Sequence, residues 1–324
     1  MSRIEPVPVA VVGAGRFGQH HARVYASLPE ADLVGVVDSD LDRAREIAAR
    51  HGCEAYPAAE ALPDSVCAAS LAVPTVCHAP VGDPLLNRGV DLLVEKPIAP
   101  DLDSADQLIA AAENGGRILQ VGHLERFNPI VEAAAEAATL PLFFEVHRMS
   151  PFSPRSLDID VVLDLMIHDL DIVRSMVDSD VDKVDASGLS VVSGQADIAS
   201  ARIQFENGCV ANLTASRVST EKIRKLRFFQ PREYVSLDYV RRTGVRITLD
   251  DWNRPRFRTL PAGRGEPLQR QLSSFLASVR DRSQPRVSGR DAREALGLAL
   301  RIGKAIGEHS RLVAKTLAAS GRIG

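Results

Sequence analysis

In the first third of the chain, short apolar runs alternate with stretches whose apolar residues recur at helical spacing. That is the pattern of βαβ units built on a parallel sheet. Residues 7–12, 32–38, 67–73, 90–94 and 118–121 read as strands, and 17–27, 41–51, 76–87 and 102–113 as the helices between them. The 67–73 strand carries no charge, so both its faces are expected to be covered. Pro80 and Pro84 complicate the helix over 76–87. The pattern changes after Gly122. Residues 128–139 read as a helix, 142–148 as a strand and 159–177 as one long helix. Four or more strands then follow with no helices between them. The clearest pair is 198–205 and 210–217, joined by Glu206-Asn207-Gly208, and Asn-Gly predicts the positive backbone angles of a tight hairpin turn. Further strands are expected at 223–229, 233–239 and 244–249, and helices return at 267–282 and 289–306. The chain thus predicts an α/β protein of two domains. Residues 1–122 carry the parallel sheet, and 123–324 an α+β domain whose sheet is mostly antiparallel.

A length of 324 residues is long for one core and suits that division. Only 5% of residues are aromatic, too few for the stacking surfaces that bind single-stranded nucleic acid. The net charge of −3 hides an uneven distribution. Residues 1–216 hold 15 Lys and Arg against 32 Asp and Glu, giving −17, while 217–324 hold 24 against 10, giving +14. Two readings stay open: solvated faces and pairing between domains, or a positive region that attracts an anionic substrate. The basic residues are spread over strands and helices with no recognisable nucleic-acid module. Cys53, Cys67, Cys77 and Cys209 have no metal-ligand spacing and read as buried thiols in a reducing compartment. Residues 65–82 contain no charged side chain, but Pro74, His78 and Pro80 interrupt the run, and a buried strand and loop explain it better than a membrane span. The short apolar stretch after Met1 does not read as a signal peptide, so a cytoplasmic protein is expected.

Gly13, Gly15 and Gly18, with Arg16 and Phe17 before the last, fit Gly-x-Gly-x-x-Gly between a strand and a helix. The first glycine permits the tight turn, the second lets backbone approach a pyrophosphate, and the third lets helix and strand pack closely. The helix amino terminus adds free N–H groups. Asp38 ends the second strand 20 residues after Gly18, where an acid binds the adenosine ribose hydroxyls. Its charge would repel the 2′-phosphate of NADP, so NAD is favoured, and Arg43 nearby keeps NADP open. Glu95-Lys96-Pro97 breaks abruptly from an apolar strand. Open parallel sheets bind ligands at that carboxyl edge. Lys96 is therefore a candidate acid–base group, and a surface lysine is the plain alternative. Asp164 and His168 stand four apart and would share one helix face, with Asp171 near it. A histidine of near-neutral pKa suits proton abstraction from a hydroxyl. A structural histidine or a metal ligand is the alternative, and no second histidine or ligand cluster supports the metal.

Together these residues resemble the Gfo/Idh/MocA oxidoreductase family. The marks are residues 11–18 with His20-His21, Val73-Pro74-Thr75 with His78, Glu95-Lys96-Pro97, and Asp164 with His168. They span nearly the whole chain. The resemblance implies an amino-terminal Rossmann domain and a carboxyl-terminal domain whose open sheet often makes dimer or tetramer contacts. It implies NAD(P)-dependent chemistry on sugars, inositols and related polyols. Carried onto this chain, it puts Pro74, Thr75 and His78 along the nicotinamide half of NAD and Glu95 near its ribose. It makes His123, Arg126, Asn128 and Arg155 candidate substrate contacts, with Lys96 and His168 at the reacting hydroxyl and Asp164 orienting the imidazole. Which of Lys96 and His168 is the primary base stays open.

Two segments, Gly122-His123-Leu124-Glu125-Arg126-Phe127-Asn128-Pro129 and 161–169, resemble a narrower bacterial group within the family, the UDP-N-acetylglucosamine 3-dehydrogenases. That group oxidises the sugar C3 hydroxyl so that an aminotransferase can place an amine there for a diamino lipid A. The alternatives are a dehydrogenase of a free sugar or inositol, and a noncatalytic NAD-binding regulator. A regulator would be expected to lose Lys96 or His168, and this chain keeps both.

Overall fold

A computed structural model describes residues 5–153 and 159–319, with side chains described as far as residue 316. The elements run in chain order as β1 (Val7–Val12), α1 (Arg16–Tyr25), β2 (Ala31–Val37), α2 (Leu41–His51), β3 (Glu54–Tyr56), β4 (Ala68–Leu71), α3 (His78–Asn87), β5 (Asp91–Glu95), α4 (Leu102–Gly115) and β6 (Leu119–Gly122). These strands form one parallel sheet in the order β3-β2-β1-β4-β5-β6. The order reverses between β1 and β4, the switch point at which doubly wound sheets bind ligands. All four residues of β4 are buried, as a central parallel strand requires. The uncharged 65–82 stretch becomes β4, a 3-10 turn over Thr75–Cys77 and the start of α3. Pro84 lies inside α3 and Pro80 in its first turn, so neither stops the helix. The cysteines depart from the expectation of burial. Cys209 is buried, whereas Cys67 is exposed because β4 begins only at Ala68.

The second half begins with α5 (Pro129–Ala137) and β7 (Phe143–Met149). The long helix expected over 159–177 is present as one continuous helical stretch over 161–176, with a π segment over Val162–Met166 leading into α6 (Ile167–Met176). Then come β8 (Val181–Leu189), β9 (Ile198–Phe205), β10 (Val210–Ser216), β11 (Ile223–Gln230), β12 (Glu233–Asp238), β13 (Thr243–Leu249) and β14 (Pro255–Thr259). Their sheet runs β14-β13-β12-β11-β7-β10-β9-β8. Only β7 and β10 pair in parallel, so the sheet is mostly antiparallel as expected. In the β9–β10 hairpin Gly208 alone takes a positive φ, +86°, and its N–H closes the turn on the Phe205 carbonyl. Asn207 stays outside the left-handed region, because the connection is longer than a two-residue turn.

Strand alternation buries Phe144, Val146, Ala201, Ile203, Leu213, Leu226, Phe228 and Val235 on one face, where α6 adds Leu170 and Val173. The other face carries Phe143, Phe229 and Tyr234, with Phe229 edge-on to Phe143 at 6.0 Å between ring centroids and tilted against Tyr234 at 5.0 Å.

The chain ends with α7 (Pro267–Asp281) and α8 (Gly289–Ala319). Here the division of the chain departs from the expected boundary at 122/123. One compact unit is Met1–Phe127 together with Gly265–Glu294; the other is Asn128–Arg264 with Ala295–Gly324. The cause is the apolar stripe of α7. Leu272, Phe275, Leu276 and Val279 recur at helical spacing and join the core of β1 and α1. Each contributes roughly 1.5–3 kcal/mol by burial. Arg282 then ends α7 in the left-handed region and reaches the buried Asp91, at 2.5 and 3.1 Å. From Ala295 onward, α8 supplies Leu298, Ala299 and Ile302 to the core of the other unit.

Candidate active site

The glycine turn follows β1. Gly13 has φ +99°, and a Cβ there would lie 2.6 Å from the Ala72 carbonyl oxygen. At Gly18 a Cβ would collide with the Gly13 carbonyl oxygen. Gly15 differs: nothing lies within 4 Å of its Cβ position. It also precedes α1, whose amino terminus has no side-chain cap. Two glycines are thus spent on the turn itself and one on an open front with free N–H groups. That cradle fits a dinucleotide pyrophosphate, and Gly13, Gly15, Gly18 and the backbone of Arg16 and Phe17 would hold it. Phe17 itself is half exposed.

Asp38 is mostly buried and does more than end a strand. One carboxylate oxygen accepts the Ala14 N–H at 2.7 Å and the other the Asp40 N–H at 2.9 Å. It therefore latches the glycine turn to the turn after β2. Arg43 stands 3.5 Å from Asp38 and 3.0 Å from Asp40, half exposed. Asp40 also caps α2 through the Arg43 N–H. That backbone bond, with the adjacent guanidinium, holds its carboxyl below the usual carboxylate range.

Pro74 is exposed and opens the 3-10 turn that contains Thr75. His78 is placed differently from an open cofactor contact. It is buried, with Nδ1 3.1 Å from the carbonyls of Pro97 and Ile98 and Nε2 3.1 Å from that of Val73. It sits between the loop after β4 and the loop after β5, with a single N–H to give to one of them when neutral. Burial pushes its imidazole below the ordinary value, against the pull of those carbonyls. Glu95 ends β5 with its carboxylate 3.1 Å from His21 on α1. Lys96 follows, half-buried, and its bond to Pro97 is cis. His123 is buried just after β6. Arg126 is partly exposed and its guanidinium lies 3.4 Å from the Arg286 carbonyl.

In the other unit Asn128 is buried and caps α5, accepting the Ile130 N–H. The cap engages its amide oxygen. Arg155 lies outside the described residues. Asp164 belongs to the π turn and His168 to the first turn of α6. A π turn closes over five residues rather than four, so a residue four on falls short of a full turn. Asp164 and His168 therefore stay near one side of the helix, though not at strict α-helical spacing. Both side chains are half-buried.

Two buried ion pairs that sequence reasoning missed fix this segment. Arg148, at an inward position of β7, makes a bidentate pair with Asp169 at 2.6 and 2.8 Å, next to His168. Arg217, inward just past β10, pairs with Asp197 at 2.8 Å and donates to the Ile159 carbonyl at 2.7 Å. Burial opposes the charge on Asp197, but the N–H groups of Val191, Val192 and Ser193 and the Ser193 hydroxyl overcome it and hold its carboxyl far below the usual range. The available signal was register: an arginine at an inward strand position needs a buried acid. Among the described residues no group of three or more His, Cys, Asp or Glu is arranged to hold a metal, and no helix is long and apolar enough to cross a membrane.

Residues 7–123 match the oxidoreductase family with an NAD-binding Rossmann fold named for Gfo, Idh and MocA, and residues 144–230 match that family's carboxyl-terminal domain. The chain belongs to the Gfo/Idh/MocA oxidoreductase family. It is an NAD(P)-dependent dehydrogenase acting on CH–OH groups. Within the family it is similar to a UDP-N-acetylglucosamine 3-dehydrogenase of Acidithiobacillus ferrooxidans, 40% identical over 72% of this chain and 74% of that protein. A solved structure of that organism's UDP-N-acetylglucosamine 3-dehydrogenase superposes with a TM-score of 0.89, at 34% identity, over 94% of this chain and 99% of the other. An inositol 2-dehydrogenase of Rubrobacter xylanophilus is 33% identical over 57% of this chain and 56% of that protein.

Proposed function

We propose that the protein oxidises the C3 hydroxyl of UDP-N-acetylglucosamine to a ketone, using NAD. The likeness to the Acidithiobacillus enzyme carries the reading, since it holds at 40% identity over 72% of the chain and persists in three dimensions. The inositol 2-dehydrogenase of Rubrobacter, at 33% over 57%, supports inositol as the second reading. Asp38 favours NAD, because its charge repels a 2′-phosphate and its position suits ribose hydroxyls.

NAD held at Gly13, Gly15, Gly18 and Asp38 would supply the acceptor for the hydride of the carbinol carbon. His168 takes the hydroxyl proton on a ring nitrogen, and Asp164 orients that ring. Lys96 donates a hydrogen bond from Nζ to the developing alkoxide and shares the proton transfer. Arg126 and Arg155 contact the sugar nucleotide, whose diphosphate offers arginine a charge-assisted partner that a free sugar lacks. The +14 charge of residues 217–324 supports an anionic substrate. The protein works in the cytoplasm as a homodimer or homotetramer through the outer face of its eight-stranded sheet. Its ketone product suits an aminotransferase that installs an amine at C3. A panel of nucleotide sugars, free sugars and inositols, followed by NADH formation and by the position of the new ketone, tests the reading. NADH with UDP-N-acetylglucosamine and a C3 ketone is the expected result. Reaction at C4 or C6 would keep the substrate class and remove the C3 assignment.

A further inference from the structure

One histidine of the first unit has no part in the chemistry above. His21, on α1, is fully buried and places Nε2 3.1 Å from a carboxylate oxygen of Glu95. Its Nδ1 is buried with no hydrogen-bond partner. The asymmetry selects a tautomer. The tautomer with its proton on Nε2 donates to the carboxylate and leaves only a bare lone pair inside. A proton on Nδ1 instead would bury a donor with no acceptor, which is costly. The carboxylate is confined from a second side. Gly122 pairs with Glu95 across β5 and β6, and a Cβ there would lie 2.8 and 3.1 Å from the two carboxylate oxygens. Glu95 keeps 14% of its side chain exposed, at the carboxyl end of its strand and one residue before Lys96. Core packing alone asks for neither an imidazole at position 21 nor a bare glycine at 122. Both make sense if one carboxylate must be held in one orientation at the sheet edge.

We propose that His21 is a positioning residue whose Nε2–H fixes the Glu95 carboxylate, and that Glu95, so fixed, aligns the nicotinamide half of the cofactor beside Lys96. The proposal rests on the reading of this unit as the NAD site. No proton moves in it: His21 acts only as an oriented donor.

The test uses the full chain with His21→Leu, His21→Gln, Glu95→Ala and the double variant His21→Leu/Glu95→Ala. A glutamine amide nitrogen reaches the place of Nε2. NADH binding by fluorescence titration needs no sugar and is read first, with melting temperatures alongside. His21→Leu is expected to weaken NADH about tenfold and to lower kcat while KM for the sugar substrate stays unchanged. His21→Gln should return binding to within about threefold of wild type at a similar melting temperature. On the Glu95→Ala background, His21→Leu should cost nothing further. Equal losses in the Leu and Gln variants, an undiminished loss without Glu95, or wild-type binding in His21→Leu would each overturn the proposal. If His21→Leu does not fold, His21→Asn replaces it, since its amide stops at the place of Nδ1. Failure of wild type to bind NADH would instead overturn the cofactor reading.

Discussion

In the nucleotide-binding unit, Asp38 and His78 are tied to backbone, while Glu95 is held by the His21 side chain. Asp38 takes the N–H groups of Ala14 and Asp40, and His78 faces the carbonyls of Val73, Pro97 and Ile98. In the other unit, two buried pairs tie side chain to side chain. Arg148 holds Asp169, and Arg217 holds Asp197. The difference decides what a second substitution can repair. Backbone partners cannot be substituted away, so losing Asp38 leaves two N–H groups to find new acceptors. A side-chain pair can be removed whole.

The largest expected effect exploits that contrast. Arg148→Met should destabilise the protein by about 3–5 kcal/mol, because Asp169 is left charged and buried. Arg148→Met with Asp169→Leu should recover much of the loss, because no unpaired charge is then left. Chemical denaturation of both variants checks this, and an equal loss in the two would mean that the pair is not the cause. Next in size, Lys96→Met and His168→Ala should each lower turnover by roughly 10²-fold or more while NADH binding persists. Near-normal turnover in both, by steady-state kinetics, would end the proposed acid–base roles.

How far each region was legible follows from the same contrast. The glycine turn could be read directly, because Gly13 and Gly18 answer backbone crowding that no other residue tolerates. Lys96 stood out where an apolar strand stops. His78 and Asn128 have the right residue types for contacts with ligands, and the fold also sets His78 between two loops and makes Asn128 a helix cap, a use that residue type alone does not announce. Arg148 and Arg217 sit at inward strand positions, which calls for a buried acid without saying which one. Their partners are 21 and 20 residues away on other elements. The stripe of α7 announced a helix but not whose core it completes. The π turn left no mark, because the same letters suit an α-helix.

Smaller effects sharpen the backbone side. Asp38→Ala should weaken NAD about tenfold or more and narrow its advantage over NADP, through lost ribose hydrogen bonds and lost repulsion of the 2′-phosphate. Titration of both cofactors decides it, and an unchanged NAD/NADP ratio would mean that Asp38 serves only as a latch. The smallest effect is on pH dependence. His78 is held below its ordinary value of 6.5, so below that pH the unfolded chain takes up a proton that the folded one resists. Its contribution to stability is whole above about pH 6.5 and shrinks as pH falls. His78→Gln should flatten that slope in melts between mild acid and neutrality, and an unaltered slope would assign the dependence to other groups.

The specificity constant kcat/KM with NAD, measured for UDP-N-acetylglucosamine, free N-acetylglucosamine and myo-inositol, tests the central claim most directly. The nucleotide sugar should win, give a C3 ketone, and lose its advantage as salt rises and exposed charges are screened within about 10 Å. A higher constant for the free sugar or for inositol would contradict the substrate assignment and leave only the family.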